Sequence, residues 1–150
     1  MVHVELQNAS SATFLPAPDQ LRHWVEAAVK RDQAEIVIRV VDSEESAELN
    51  EHYRHKPGAT NVLSFPFEPP PGVVTDILGD LVICAPVVER EAAEQGKPLL
   101  AHWAHLVVHG VLHLQGFDHI EENEALTMES EEIAILNGLG FSNPYEEITS

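Results

Sequence analysis

"PLLAHWAHLVVHGVLHLQ", residues 98–115, decides what kind of protein this is. The run is apolar enough to raise the question of a membrane span. Its four histidines, its internal glycine and the absence of Lys or Arg within it argue against one. The better reading is a buried helix, opened by Pro98 and stopped by Gly116, around which a soluble domain is built.

The rest of the chain supplies layers for that helix. "HVELQN" (3–8) reads as a first strand, and a helix runs from Pro18 to Lys30. "EIVIRVV" (35–41) is a β-branched buried strand, followed by a helix through "EESAELNEHY" with Asp42 and Ser43 as candidate caps. "NVLSFPF" (61–67) is a strand that Pro66 assigns to an edge or a bulge, and "ILGDLVICA" (77–85) is another. Pro86 opens a helix closed by Gly96, and an acidic helix follows from Glu121 to Asn137 with Gly138 as its cap. The order β-α-β-α-β-β-α-α-α predicts one α+β domain over residues 1–150. It has a small mixed sheet of about four strands, about five helices, and a metal site at the end of the buried helix.

With 150 residues and 44% hydrophobic content the chain can bury a full core. Its single cysteine, Cys84, lies in an apolar run and reads as an inert buried thiol, and no signal peptide is visible at the start. A reducing, cytoplasmic setting is expected. The net charge is −17, and all eight Lys and Arg precede residue 98. Such a chain as a whole repels a polyanion, which leaves room for nucleic acid only at a local basic groove.

His109 and His113 stand four residues apart, about 40° of rotation and about 6 Å of rise on a helix, so both imidazoles leave one face. Gly116 lets the chain turn back and bring His119 to the same point. Three neutral nitrogens with a fourth position open is the arrangement of a catalytic zinc site. The spacing H-x-x-x-H-x-x-G-x-x-H also occurs in zinc proteases, which carry a glutamate base directly after the first histidine. Here that position is Gly110, so the grip is present and the protease base is not. His102 and His105 share the face of His109 and read first as packing residues. Three histidines suit zinc, one ion per chain, although other divalent transition metals bind such sites.

"LNEHYRHKPGATNVLSFPFE" (49–68) places Arg54 and Lys56 in a loop entering a strand. If that loop faces the metal, Arg54 is a natural clamp for an anionic transition state. Asn61 and Ser64 follow at the strand, as substrate contacts or loop caps. Asp118 is a candidate to orient a ligand histidine or cap the next helix.

These stretches, together with "GDLVIC" (79–84), resemble the bacterial YbeY-type endoribonucleases over residues 36–145. The resemblance implies zinc ligands at His109, His113 and His119 and a functional arginine at Arg54. It implies metal-dependent cleavage of single-stranded RNA, with roles in 16S rRNA 3′-end maturation and ribosome quality control. Phe117 stands where the family usually has tyrosine. The expected partners are single-stranded rRNA and the ribosome or its proteins, with no membrane. The RNA would meet a patch of Arg54, Lys56 and Arg39, and the nucleophile would be metal-activated water or the substrate's 2′-OH. Two other classes remain open at this point: a zinc hydrolase of a small molecule or peptide, and a ribosome-associated module whose zinc is structural.

Overall fold

The computed structural model describes residues 2–116 and 122–145, with residues 122–124 described as backbone alone. The nine elements are β1 (Val2–Asn8), α1 (Pro18–Ala28), β2 (Ala34–Val41), α2 (Ser43–Arg54), β3 (Val62–Pro66), β4 (Ile77–Cys84), α3 (Ala85–Gln95), α4 (Leu99–Leu114) and α5 (Glu122–Gly138). Their order is the one read from the sequence.

The sheet runs β1-β2-β4-β3. β1, β2 and β4 are parallel, and β3 pairs antiparallel to β4 at the edge. Pro66 ends β3 there, where the amide hydrogen it lacks is least missed. Alternation along β4 divides the interior. Leu81 and Ile83 face the larger core with Trp103, Val107 and Val111 of α4. Val82 and Cys84 face a smaller one with Val41, Leu63 and Val87. Cys84 is buried, as its apolar surroundings imply.

α4 is the central helix, and among the described residues no helix is long and apolar enough to cross a membrane. It packs against α1, α3, α5, β3 and β4, so nearly all of its surface is covered. Ala101, His105, His109 and His113 are half-buried at four-residue steps between buried neighbours. One stripe therefore looks outward, and it carries three of the four histidines. Gly110 lies beside that stripe against β4. A Cβ built there would stand 2.7 Å from Leu81 Cδ2, so the helix approaches the sheet closely at this point. The residue that removes the protease base is thus also a packing residue.

Two local readings change, those of Asp42 and Gly138, and the end of α2 adds a feature that the sequence did not signal. Asp42 occupies the N-cap position of α2 without capping it; its carboxylate accepts instead from the Ser11 amide at 3.1 Å and from the Ser11 hydroxyl. α2 ends on His55, the one non-glycine residue with positive φ among those described, in a left-handed conformation that histidine tolerates better than most. The glycine that terminates α5 is Gly140 rather than Gly138. Phe141 N–H donates to the Leu136 carbonyl and Gly140 N–H to that of Asn137, which requires the left-handed φ of 92° found at Gly140.

Candidate active site

α4 presents His109 and His113 to an open cleft of about 740 Å³. The opposite wall is the end of α2 and the edge strand β3: Tyr53, Arg54, Asn61, Val62, Leu63, Ser64, Phe65 and Pro66. The structure therefore brings Arg54, Asn61 and Ser64 to the histidines. Lys56 is exposed and does not line the cleft. His119 and Asp118 lie outside the described residues, as does Phe117.

The two ring nitrogens His109 Nε2 and His113 Nε2 are 3.1 Å apart. Two nitrogens about 2.0–2.1 Å from a tetrahedral zinc stand about 3.3 Å from each other, so the pair is spaced to share one ion. The tautomer of His109 follows from its other nitrogen. Nδ1 is 2.5 Å from Glu132 Oε1, a contact in which the imidazole donates and the carboxylate accepts. The lone pair of His109 is thereby directed through Nε2 towards His113.

Glu132 had no place in the sequence reading. It is fully buried on α5 and accepts on both oxygens: from His109, from His105 Nε2 at 3.1 Å, and from the Tyr145 hydroxyl. Burial pushes its pKa up, but the hydrogen bonds from His105, His109 and Tyr145 outweigh this and hold it well below the ordinary carboxylate range. The Tyr145 phenol is pushed up in turn, by burial and by the neighbouring carboxylate. The signal was present but hidden. Met128, Glu132 and Leu136 are buried at four-residue spacing, so one charge sits on the apolar stripe of a helix rich in acidic residues.

His105, His109 and Glu132 are themselves close enough to hold a metal, with one ligand atom of each within 4.8 Å of the others. A metal held by those three would replace hydrogen bonds that Glu132 now makes to the rings, whereas one shared by His109 Nε2 and His113 Nε2 would leave the Nδ1–Glu132 hydrogen bond intact. His102 turns away from both. Its Nε2 is 3.0 Å from Glu91, and burial lowers its pKa against the pull of that carboxylate.

Two of the expected contacts have structural employment. Asn61 Nδ2 donates to Glu91 at 3.0 Å, and its Oδ1 accepts from the Val62 amide at 2.6 Å, so this side chain fixes β3 to α3. Ser64 Oγ lies 3.5 Å from the Gly110 carbonyl. Arg39, expected in the RNA patch, is instead held by Glu45 through Nε at 2.7 Å and Nη2 at 3.0 Å. Arg39 also stands outside the residues that line the cleft.

Fold and site together define a small α+β protein with a histidine–carboxylate cluster able to hold a metal beside an open cleft. The family model described as Endoribonuclease YbeY matches residues 5–140. An Endoribonuclease YbeY of Methylococcus capsulatus is 66% identical over 148 residues, covering 99% of this chain and 98% of that protein. The solution structure of TM1509 from Thermotoga maritima superposes with a TM-score of 0.54 at 20% identity. It covers 97% of this chain and 99% of its own, and so supports the fold. The chain belongs to the YbeY endoribonuclease family.

Proposed function

We propose that the chain is a metal-dependent endoribonuclease that cleaves single-stranded RNA, acting in 16S rRNA 3′-end maturation and ribosome quality control. Family membership supports the enzyme class, a hydrolase of RNA phosphodiesters. The observation that carries the site assignment is the convergence of His109 and His113, 3.1 Å apart, in the cleft that Arg54 lines. In this reading His109, His113 and His119 hold one zinc ion, and Arg54 is the catalytic side chain that touches the phosphate. A divalent metal there supplies a Lewis acid for a phosphate oxygen and a water of lowered pKa.

The chain's own residues do the remainder. Arg54 offers planar, permanently charged donors to the phosphate oxygens, where negative charge grows during attack. Glu132 keeps His109 in one tautomer and one ring orientation. The open cleft admits a flexible strand, and ribosomal proteins supply the affinity that an acidic surface withholds from RNA. The chain is expected to work in the cytoplasm.

The test is an rRNA processing and oligonucleotide cleavage assay comparing wild type with Arg54→Ala and His113→Ala, with metal content measured on the same preparations. Loss of cleavage in both variants, and of metal in His113→Ala alone, is expected. Full activity in either variant overturns the assignment. A 2′-deoxy nucleotide at the scissile position separates the nucleophiles, because its cleavage is compatible only with attack by water.

A further inference from the structure

The cleft poses a problem of affinity. Among the described residues that line it, Arg54 is the one Lys or Arg, while the chain carries a net charge of −17. Arg39 is tied to Glu45 and Lys56 lies outside the lining. Phosphate neutralisation, the usual source of affinity for nucleic acid, is therefore scarce where the substrate would sit.

What the cleft wall offers instead is aromatic surface. Tyr53, next to Arg54 at the end of α2, lines the cleft and is 57% exposed, unusual for so large a ring on a packed helix. The ring is not loose. Phe65 of β3 meets it in a T-shaped contact, with centroids 4.8 Å apart at 69°. His52 meets it likewise at 4.9 Å and 87°. Edge contacts of this kind fix the plane of a ring. An exposed aromatic held in a fixed plane beside a phosphate-binding arginine is a platform for a nucleobase, because every base has a π-face and stacking needs no charge.

We propose that Tyr53 stacks on an unpaired base of the substrate, flanking the bond to be cut, and is a specificity-determining residue of the reaction. This rests on the reading of the chain as a nuclease of single-stranded RNA, and deepens it. A base within a duplex already stacks on its neighbours and cannot leave to meet the ring without unpairing. Tyr53 thus rewards strands whose bases are free and penalises paired ones. The hydroxyl has no part in this role.

The experiment measures kcat/KM on a single-stranded RNA oligonucleotide and on a set carrying one abasic nucleotide at successive positions. Wild type, Tyr53→Ala, Tyr53→Phe and Tyr53→Trp are compared. Tyr53→Ala is expected to lose about 5- to 150-fold, mainly through KM, while the Phe and Trp variants retain activity. At one position beside the cleavage site the abasic substitution costs wild type a similar factor and costs Tyr53→Ala nothing further. Equal rates for Tyr53→Ala and wild type overturn the proposal. So do penalties that multiply, or a loss in Tyr53→Phe as large as in Tyr53→Ala. Wild type that cleaves no RNA at all, in a preparation with full metal content, overturns the nuclease reading and this proposal with it. Tyr53 is exposed, so its variants are expected to fold, circular dichroism checks that they do, and the abasic series on wild type needs no variant.

Discussion

Glu132 Oε1 lies 2.5 Å from His109 Nδ1, joining the buried face of α5 to the outward stripe of α4. A carboxylate behind a metal-binding imidazole fixes its orientation and raises its basicity, and removing such a partner typically lowers metal affinity about 10- to 100-fold. Glu132→Gln, which keeps the shape and one acceptor, is expected to fold and to bind zinc about 10- to 100-fold more weakly in a chelator competition titration. Unchanged affinity would show that His109 is held by its packing alone.

His113 and His105 lie on opposite sides of His109 along the same stripe, and each implies a different metal position. Binding at His109 Nε2 predicts that His113→Ala loses its zinc and His105→Ala keeps most of it. Metal analysis of the purified variants decides. The reverse pattern would place the ion between His105, His109 and Glu132.

Arg54 and Arg39 are separated in the same way. Arg54→Ala is expected to reduce the cleavage rate by at least roughly 10²- to 10³-fold, the usual effect of deleting a single hydrogen-bond donor from a transition state. Arg39→Ala, which removes only the pair with Glu45, is expected to leave the rate on the same oligonucleotide within about twofold, since exposed ion pairs contribute little. A large loss in Arg39→Ala would return that residue to the RNA path.

Gly79 is where β3 and β4 close on each other. A Cβ there would stand 2.2 Å from the Phe65 carbonyl oxygen, and φ is 143°, outside the range of ordinary side chains. Backbone strain and overpacking together put the cost of Gly79→Ala at about 2–5 kcal/mol. Urea denaturation of the metal-free protein measures it. A midpoint shift worth less than about 1 kcal/mol would mean that the strand pair can separate freely.

The parts of this molecule that sequence reading reached are those governed by local periodicity and punctuation. Pro18, Pro66, Gly96 and the β-branched run at 35–41 each signal their structure within a few residues, and the pair His109 and His113 needs only one helical turn. What it missed is governed by tertiary contact. Glu132 is one carboxylate in an acidic helix until Met128 and Leu136 are seen to be buried on either side of it. Arg39 read as available because its partner, Glu45, lies across a strand-to-helix turn. Tyr145 reaches Glu132 from beyond α5, and Lys97 Nζ donates to the Pro144 carbonyl at 2.7 Å to hold that segment in place. No spacing rule links residues 97, 132 and 145.

The contact between Gly110 and Leu81 bears on how this histidine pattern can diverge. Writing a glutamate at position 110 would restore the protease motif on paper, but its side chain would start 2.7 Å from Leu81 and point into the sheet. Leu81 is fully buried, so its side chain yields only by pressing on its own core neighbours. A protease-like base at position 110 is thus opposed by the packing of the helix on the sheet, before any question of chemistry arises.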